Sequence, residues 1–501
     1  MARSVSALLA WEAEMEIADR IMRPAKAGVF ILVCAAAAMA LPAQTFTTLF
    51  SFDNTNGANP EAALVQGADG NFYGTAVFGG AYGGGTVFQI TPGGAFTTLY
   101  SFCAQPNCTD GANPEAGLVQ AGNGDFYGTT YDGGAQGDGT VFRITPTGAL
   151  TTLYSFCAQT NCGDGVNPVA GLVQTAKGDF YGTTEFGGAY NAGTVFQIVP
   201  SGTLTTLYSF CAQQNCPDGQ YPASGLRQGS NGNFYGTTKR GGAHHSGGTA
   251  FQITPRGALT TLYSFCAQTD CMDGEIPYAG LVEDPEGNLY GTTFAGGIQF
   301  GNGEGTVFQI NPSGTLTTLH RFCSLSLCAD GEAPFAGLVW AANRDTYGTT
   351  VFGGAHAGGE VFQVTPGGTL TTLYSFCAQT NCTDGEAPYA GLVQATNGDF
   401  YGTTEYGGAN NVGVVFSLSA GLGPFIRTTP TVGLAGAAVE ILGTGLTGAT
   451  SVAFNGTAAV FKVAASSLIR TTVPAGATSG TVQVVTPGGT LSSNQPFRVL
   501  P

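Results

Sequence analysis

The sequence predicts an all-β protein, a seven-bladed β-propeller followed by a small immunoglobulin-like β-sandwich. Three observations carry that expectation: a motif around Tyr-Gly recurs seven times, each copy holds four short β-prone runs, and the composition changes near Gly423. The copies are marked by Tyr73, Tyr127, Tyr181, Tyr235, Tyr290, Tyr347 and Tyr401, at spacings of 54, 54, 54, 55, 57 and 54 residues. A period of this kind marks one supersecondary unit stacked on its neighbours, so most of the 501 residues belong to a single body.

Composition agrees. Seventy-nine glycines with 10% charged and 11% aromatic residues suit strands and tight turns, and an apolar share of 43% argues against disorder. The net charge of −16 argues against nucleic acid and anionic membrane surfaces as partners, and solubility is its plain reading.

The first element is a targeting segment. From Met22 the chain reads M-R-P-A-K-A-G-V-F-I-L-V-C-A-A-A-A-M-A-L-P-A-Q, with Arg23 and Lys26 ahead of an apolar run from Val29 to Leu41. That is the pattern of a secretory signal peptide, too short to span a bilayer comfortably, with Ala38, Ala40 and Ala43 offering cleavage sites. Glu12, Glu14, Glu16 and Asp19 are unlike a basic leader, which makes Met22 a second candidate start. Cys34 raises a lipoprotein alternative, opposed by the branched Val33 and the short run before it. The expected domains are a signal peptide over 1–43, the repeats over 44–420 and a C-terminal domain over 421–501. With no second long apolar segment, the mature chain is expected to be secreted or at the bacterial surface, without membrane insertion.

The second copy illustrates a repeat. Its runs are Gly117 to Ala121, Asp125 to Thr130, Thr140 to Thr145 and Ala149 to Phe156. The first and third connections, Gly122-Asn123-Gly124 and Pro146-Thr147-Gly148, are short enough for hairpins. The second carries Gly133-Gly134-Ala135, and the longest leads through a cysteine pair into the next copy. Four antiparallel strands taken seven times is the propeller pattern; a β-solenoid, the alternative, usually lacks such regular hairpins. The chain enters with Phe46 to Phe52, a copy of the fourth run, and leaves the repeats with Gly413 to Leu418, a copy of the third. The entering strand is therefore expected to complete the last blade and remove the open edge. Alternating strand direction places the Gly-Gly-Ala and cysteine loops on one face and the short turns on the other.

Twelve cysteines form six pairs at one spacing: Cys103 with Cys108, Cys157 with Cys162, Cys211 with Cys216, Cys266 with Cys271, Cys323 with Cys328, and Cys377 with Cys382. In an exported chain an even set implies disulfides. The corresponding N-terminal loop, Asp53 to Gly57, is shorter and has no cysteine, which fits a bridge that staples a loop of set length. Zinc is the rival, but needs a second pair or histidines close by.

The combination G-L-V-Q, F-Y-G-T-T, G-G-A, G-T-V-F-Q-I-T-P and L-T-T-L-Y-S-F resembles the bacterial GloVer tandem repeat, over about Thr45 to Ala420. That family is described as "choice-of-anchor", because its members share the repeat and end in different surface-attachment modules. The resemblance implies an exported protein and transfers no catalytic residue. From Gly423, the stretch G-P-F-I-R-T-T-P-T-V-G-L-A-G-A-A-V-E-I-L-G-T-G-L, followed by V-A-F-N-G and T-T-V-P-A-G-A-T-S-G-T-V-Q-V-V-T, is similar to an IPT/TIG domain. Its short, turn-punctuated strands independently suit a small sandwich. No apolar anchor or sorting tail follows, a departure from anchored members.

Sites are harder to read. The Asp-Gly after each second cysteine, at Asp110, Asp164, Asp218, Asp273, Asp330 and Asp384, reads as a turn former bonded to local amides; calcium is the alternative. His244, His245, His320 and His356 are scattered, and no nucleophile elbow, phosphate loop or zinc-protease motif occurs. The expected catalytic, metal and cofactor sets are empty. Two series break the repeat. One flanks the Gly-Gly pair on its N-terminal side: Val77-Phe78, Tyr131-Asp132, Glu185-Phe186, Lys239-Arg240, Phe294-Ala295, Val351-Phe352 and Glu405-Tyr406. The other follows the proline before the inner strand: Glu61, Glu115, Val169, Ala223, Tyr278, Phe335 and Tyr389. Tyr278, Phe335 and Tyr389, with Glu275, Glu332 and Glu386 three residues earlier, form the candidate ligand rim; drift under weak constraint is the alternative. The expected function is non-enzymatic binding or scaffolding, with a polysaccharide or surface protein as partner. A carbohydrate lyase or hydrolase using carboxylates on the loop face is the second reading, favoured if two buried carboxylates have pKa values pushed apart.

Overall fold

The computed structural model describes residues 44–244, 247–297 and 304–500. The signal-peptide reading and His245 lie outside them. The described residues are almost entirely strands and turns, with helix limited to short 3₁₀ turns such as Pro106–Cys108 in the cysteine loops. No helix among them is long and apolar enough to cross a membrane.

Each repeat is a four-stranded antiparallel sheet. In the second copy Val119–Gln120, Phe126–Thr130, Thr140–Ile144 and Leu150–Ser155 pair in chain order. The same order holds in the copies before and after it, giving propeller-like repeats. The last copy supplies Val393–Gln394, Phe400–Thr404 and Val414–Ser419, and its fourth strand is Thr45–Ser51 from the start of the described chain. These two pair antiparallel, with Phe46 opposite Leu418 and Ser51 opposite Val414, the partners the repeat phase predicts.

The Phe-Tyr pair explains how the sheets stack. Successive residues of a strand face opposite sides, so each sheet offers a phenylalanine to one neighbour and a tyrosine to the other. Tyr73 packs on Phe126 with ring centroids 4.0 Å apart, Tyr127 on Phe180 at 4.2 Å, and Tyr181 on Phe234 at 4.2 Å. Phe72 of the first copy stacks on Tyr401 of the last at 4.0 Å. Where Thr346 replaces the phenylalanine, Trp340 from the adjacent inner strand takes its place against Tyr290 at 5.2 Å. The glycine that follows the tyrosine is required by close approach. A Cβ on Gly128 would stand 2.6 Å from Phe142 Cζ and 2.8 Å from Leu118 Cδ2, the buried side chains that fill this face of the sheet. A buried threonine then bonds sheet to sheet: Thr129 Oγ1 donates to Ala170 O at 3.2 Å, and Thr403 Oγ1 to Pro60 O at 3.1 Å.

Each cysteine pair forms a disulfide across five positions. Cys103 is bonded to Cys108, Cys157 to Cys162, Cys211 to Cys216, Cys266 to Cys271, Cys323 to Cys328, and Cys377 to Cys382. Spacing does not announce one feature of these loops: both cysteines of every pair are left-handed, with Cys216, Cys328 and Cys382 at φ 50°, 49° and 50°. The chain thereby turns back on itself at both ends of the bridge, and Cys216 O, Cys328 O and Cys382 O accept from Gly219 N, Gly331 N and Gly385 N at 3.0, 2.9 and 2.9 Å. The aspartate after each pair is buried inside the loop, as the turn-former reading expects. Asp110 accepts from Ala104 N at 3.0 Å, Gln105 N at 3.2 Å and Tyr100 Oη at 2.8 Å. This network recurs at Asp164, Asp273 and Asp384. His320 takes the tyrosine's place opposite Asp330, 3.2 Å away.

The C-terminal domain packs two sheets around Val439, Ile441, Val452, Phe454, Val482 and Val484. Strand Val482–Thr486 alternates buried and exposed positions, as a half-buried sandwich strand should. The domain docks on the short-turn side of the repeats. Phe425 N donates to Thr396 O at 3.0 Å, Arg427 Nη2 to Gln394 O at 2.7 Å and Ser467 Oγ to Ala68 O at 2.9 Å.

Candidate functional site

The two longer loops of each repeat meet. Gly134 N donates to Cys108 O at 2.9 Å, and Gly188 N to Cys162 O at 2.9 Å, so the Gly-Gly turn sits on the cysteine loop that leads into its own copy. An isolated bridge pairs the segment after each cysteine loop with the residue before Gly-Gly, as in Ala112 with Asp132 and Glu332 with Phe352. Both symmetry-breaking series therefore come from one pair of juxtaposed segments.

The residue before each proline has a left-handed backbone. In the first three copies it is Asn59, Asn113 and Asn167, at φ 53°, 54° and 53°. Asparagine tolerates this region, and Asn113 and Asn167 use their side chains to donate to Val77 O at 3.3 Å and Tyr131 O at 3.0 Å in the preceding copy. The later copies place Tyr221, Ile276, Ala333 and Ala387 at φ 54° to 60°, without that bond. A left-handed β-branched or alanine residue costs roughly 1–2 kcal/mol, and such strain persists where the surroundings enforce it. Ile276, Ala333 and Ala387 each stand two residues before an aromatic of the predicted rim.

Those aromatics come together. Tyr278 stacks on Phe335 at 4.6 Å, Phe335 meets Tyr389 edge-on at 5.1 Å, and Phe294 meets Tyr278 at 5.5 Å. All of Tyr278, Phe335 and Tyr389 are half-buried, neither core nor free surface. On the other side of the cluster lies acid. Burial, then the charges of Glu405 and Glu115, push Glu61 up to about 8. Burial, then Glu185 and Asp132, push Glu115 up to about 7, with Lys239 pulling it down. Glu405 is raised by burial against a hydrogen bond from Tyr406. Tyr389 is raised by burial and then by Glu405 and Glu61, which places the acids beside the aromatics. Lys239 joins the halves: its Nζ is ion-paired with Glu185 and lies 5.4 Å from the centroid of Tyr278. Every copy contributes to this cluster, and both symmetry-breaking series supply it.

Glu275 and Glu332 are placed differently from their expected position beside the rings. Glu275 Oε2 lies 3.9 Å from Cys271 Sγ, toward the disulfide loop. Glu332 faces Glu304, which burial and then the Glu332 charge raise to about 7. Glu386 pairs through its backbone with Tyr406. The left-handed residue between each of these glutamates and its aromatic breaks strand alternation, so nearness along the chain does not set the carboxylate beside the ring. The acids that flank the rings, Glu61, Glu115 and Glu405, already stood in the two symmetry-breaking series.

Among the described residues, two groups bring a carboxylate near sulfur: Asp138 with Cys157 and Cys162, and Glu275 with Cys266 and Cys271. In both the sulfurs are bonded to each other and offer no thiolate ligand.

A sequence model of the Gloeobacter/Verrucomicrobia repeat matches residues 38–120, 103–299 and 266–460, and one of the IPT/TIG domain matches 425–499. No curated protein matches the chain. Among solved structures, the chain is similar to PorZ, a surface component of the type-IX secretion system of Porphyromonas gingivalis. The identity is 15% and the TM-score 0.48, over 90% of this chain and 60% of PorZ. A putative gluconolactonase matches at 12% identity and TM-score 0.37, over 76% of this chain and 94% of that one. A putative 6-phosphogluconolactonase from Bacteroides fragilis matches at 16% and 0.37, over 68% and 92%. The chain thus spans less than two thirds of the PorZ length.

Proposed function

The chain belongs to the Gloeobacter/Verrucomicrobia repeat family and carries an IPT/TIG domain, and from that premise we propose that it is an exported, non-enzymatic binding module. In this reading the sheets are the blades of a closed seven-bladed propeller over 44–420, joined to the immunoglobulin-like domain over 421–501. Closure is supported by the pairing of Thr45–Ser51 with Val414–Ser419 and by the Phe72–Tyr401 stack. Export is supported by the six disulfides, which persist in oxidising compartments.

The observation that carries the function is convergence. Residues that vary between otherwise near-identical copies meet in one cluster of stacked rings and raised carboxyls. Half-buried rings offer flat apolar faces that stack on sugars, and carboxyls that hold a proton near neutral pH both donate and accept hydrogen bonds to hydroxyls. The ligand is accordingly a polysaccharide or the glycan of a surface protein.

A hydrolase or lyase is the second reading, favoured by Glu61, whose carboxyl keeps its proton up to about 8 as a general acid must. Against it, Glu61, Glu115 and Glu405 are all displaced upward, whereas acid–base pairs are pushed apart.

The test is a glycan array with the mature chain, followed by the triple change Tyr278→Ala, Phe335→Ala and Tyr389→Ala. Binding to an array hit should fall at least tenfold with folding retained. Unchanged binding would rule out this site. New reducing ends released from the bound glycan, lost in Glu61→Gln, would establish the enzyme instead.

A further inference from the structure

A cavity of about 410 Å³ lies between the inner strands of the repeats and the C-terminal domain, on the side away from the aromatic cluster. Its size is within the range of small-molecule sites, about 300–1,000 Å³. Arg227 enters it from the repeats and Arg427 from the C-terminal domain. Arg227 is itself a departure from the repeat, because the corresponding inner-strand residue is Val65, Val119, Val173, Val282, Val339 or Val393 in the other copies. Valine builds this strand adequately six times, so folding does not account for the arginine.

The polar bookkeeping of the cavity is incomplete. A guanidinium has five N–H donors and keeps its charge when buried. Among the described residues, Arg227 donates from Nη2 to Gln495 Oε1 at 3.5 Å, the limit of a hydrogen bond, and its buried Nε has no partner. Arg427 donates to the uncharged Gln394 O at 2.7 Å. No carboxylate is among the residues that line the cavity. Glu283, whose charge reaches Arg227, is held by Ser230, which donates from N at 2.9 Å and from Oγ at 3.0 Å. Two half-buried arginines thus face one cavity with no carboxylate in its lining, Glu283 acting on Arg227 only from outside it, an arrangement that favours an anion in the cavity.

We propose that this cavity is an oxyanion site, in which Arg227 and Arg427 together bind a carboxylate or phosphate group. Planar guanidinium forks match both groups in geometry, and the free Arg227 Nε belongs to such a fork. Val282, Val339 and Trp340 give the cavity an apolar wall for the body that carries the anion. Since each arginine comes from a different domain, the anion ties the two together.

Titration calorimetry on the mature chain with inorganic phosphate and with D-glucuronate, at constant ionic strength in chloride, tests the proposal. Saturable binding of either probe is expected, weakened at least tenfold in Arg427→Gln and in Arg227→Val. The latter restores the residue of the other copies and should fold. Phosphate binding alone identifies the natural group as a phosphate, glucuronate binding alone as an acidic sugar, and both outcomes support the site. Absence of saturable binding by both probes overturns it. So does affinity unchanged in both variants, or stabilisation by phosphate that the variants share equally, which is the generic effect of an excluded salt.

Discussion

Glu360 occupies a position that is threonine in five other copies, Thr86, Thr140, Thr194, Thr249 and Thr306. It is fully buried, its Oε2 accepts from Thr372 Oγ1 at 3.0 Å, and its Oε1 has no partner among the described residues. Burial pushes its carboxyl up to about 8, against the Thr372 hydrogen bond and with a small push from Asp330. The folded protein therefore holds a proton that the unfolded chain releases near 4.5. The stability associated with this group is greatest below that pH and declines as the pH rises to about 8. A displacement of that size corresponds to at most about 5 kcal/mol, and relaxation of the interior reduces it to roughly 3 kcal/mol. Glu360→Thr removes the buried acid and allows the hydroxyl pair seen between Thr130 and Thr140 at 2.9 Å to form with Thr350. The variant is expected to melt close to the parent at pH 5 and higher at pH 8, by about 4 °C if the repeats unfold together. Glu61 and Glu115 titrate over the same range in both proteins and cancel in the comparison. Calorimetric scans at the two pH values decide the matter. A difference independent of pH, or a lower melting temperature for the variant at pH 8, would refute the argument.

Removing residues 45–52 deletes the strand opposite Val414–Ser419 together with Phe46, stacked on Tyr374 at 3.8 Å, and the fully buried Phe52. The truncated chain should melt lower or aggregate through its exposed edge, and a melt like that of the parent would count against closure. Peptide mapping without reduction should recover six linkages between cysteines five positions apart, those ending at Cys216, Cys328 and Cys382 included; free thiols or bound zinc at stoichiometric level would contradict them. Reduction of the six bridges should lower stability, with each small loop contributing roughly 2 kcal/mol.

The repeat itself was legible in the sequence because its causes are local and repeated seven times. Alternation fixes the strands, Gly-Asn-Gly and Pro-Thr-Gly fix the turns, and the spacing of Cys103 and Cys108 fixes the bridge. Even the pairing of the first strand with the last copy followed from phase alone. The aromatic half of the candidate site was also visible, since Tyr278, Phe335 and Tyr389 stand at a position that varies among otherwise similar copies. Their acidic partners were not assigned correctly by proximity in sequence. Glu275 and Glu332 are near the rings along the chain, but their carboxylates meet Cys271 Sγ and Glu304, while Glu61 and Glu405 reach Tyr389 from opposite ends of the repeat array. Arg227 and Glu360 were present as departures from the repeat, yet each owes its meaning to burial. A charge at either position is ordinary in a sequence and becomes costly only once neighbouring sheets and the C-terminal domain exclude water from it. Periodicity decided which residues share a strand, and only tertiary packing decided which charges face one another without solvent, because desolvation depends on every surrounding element at once.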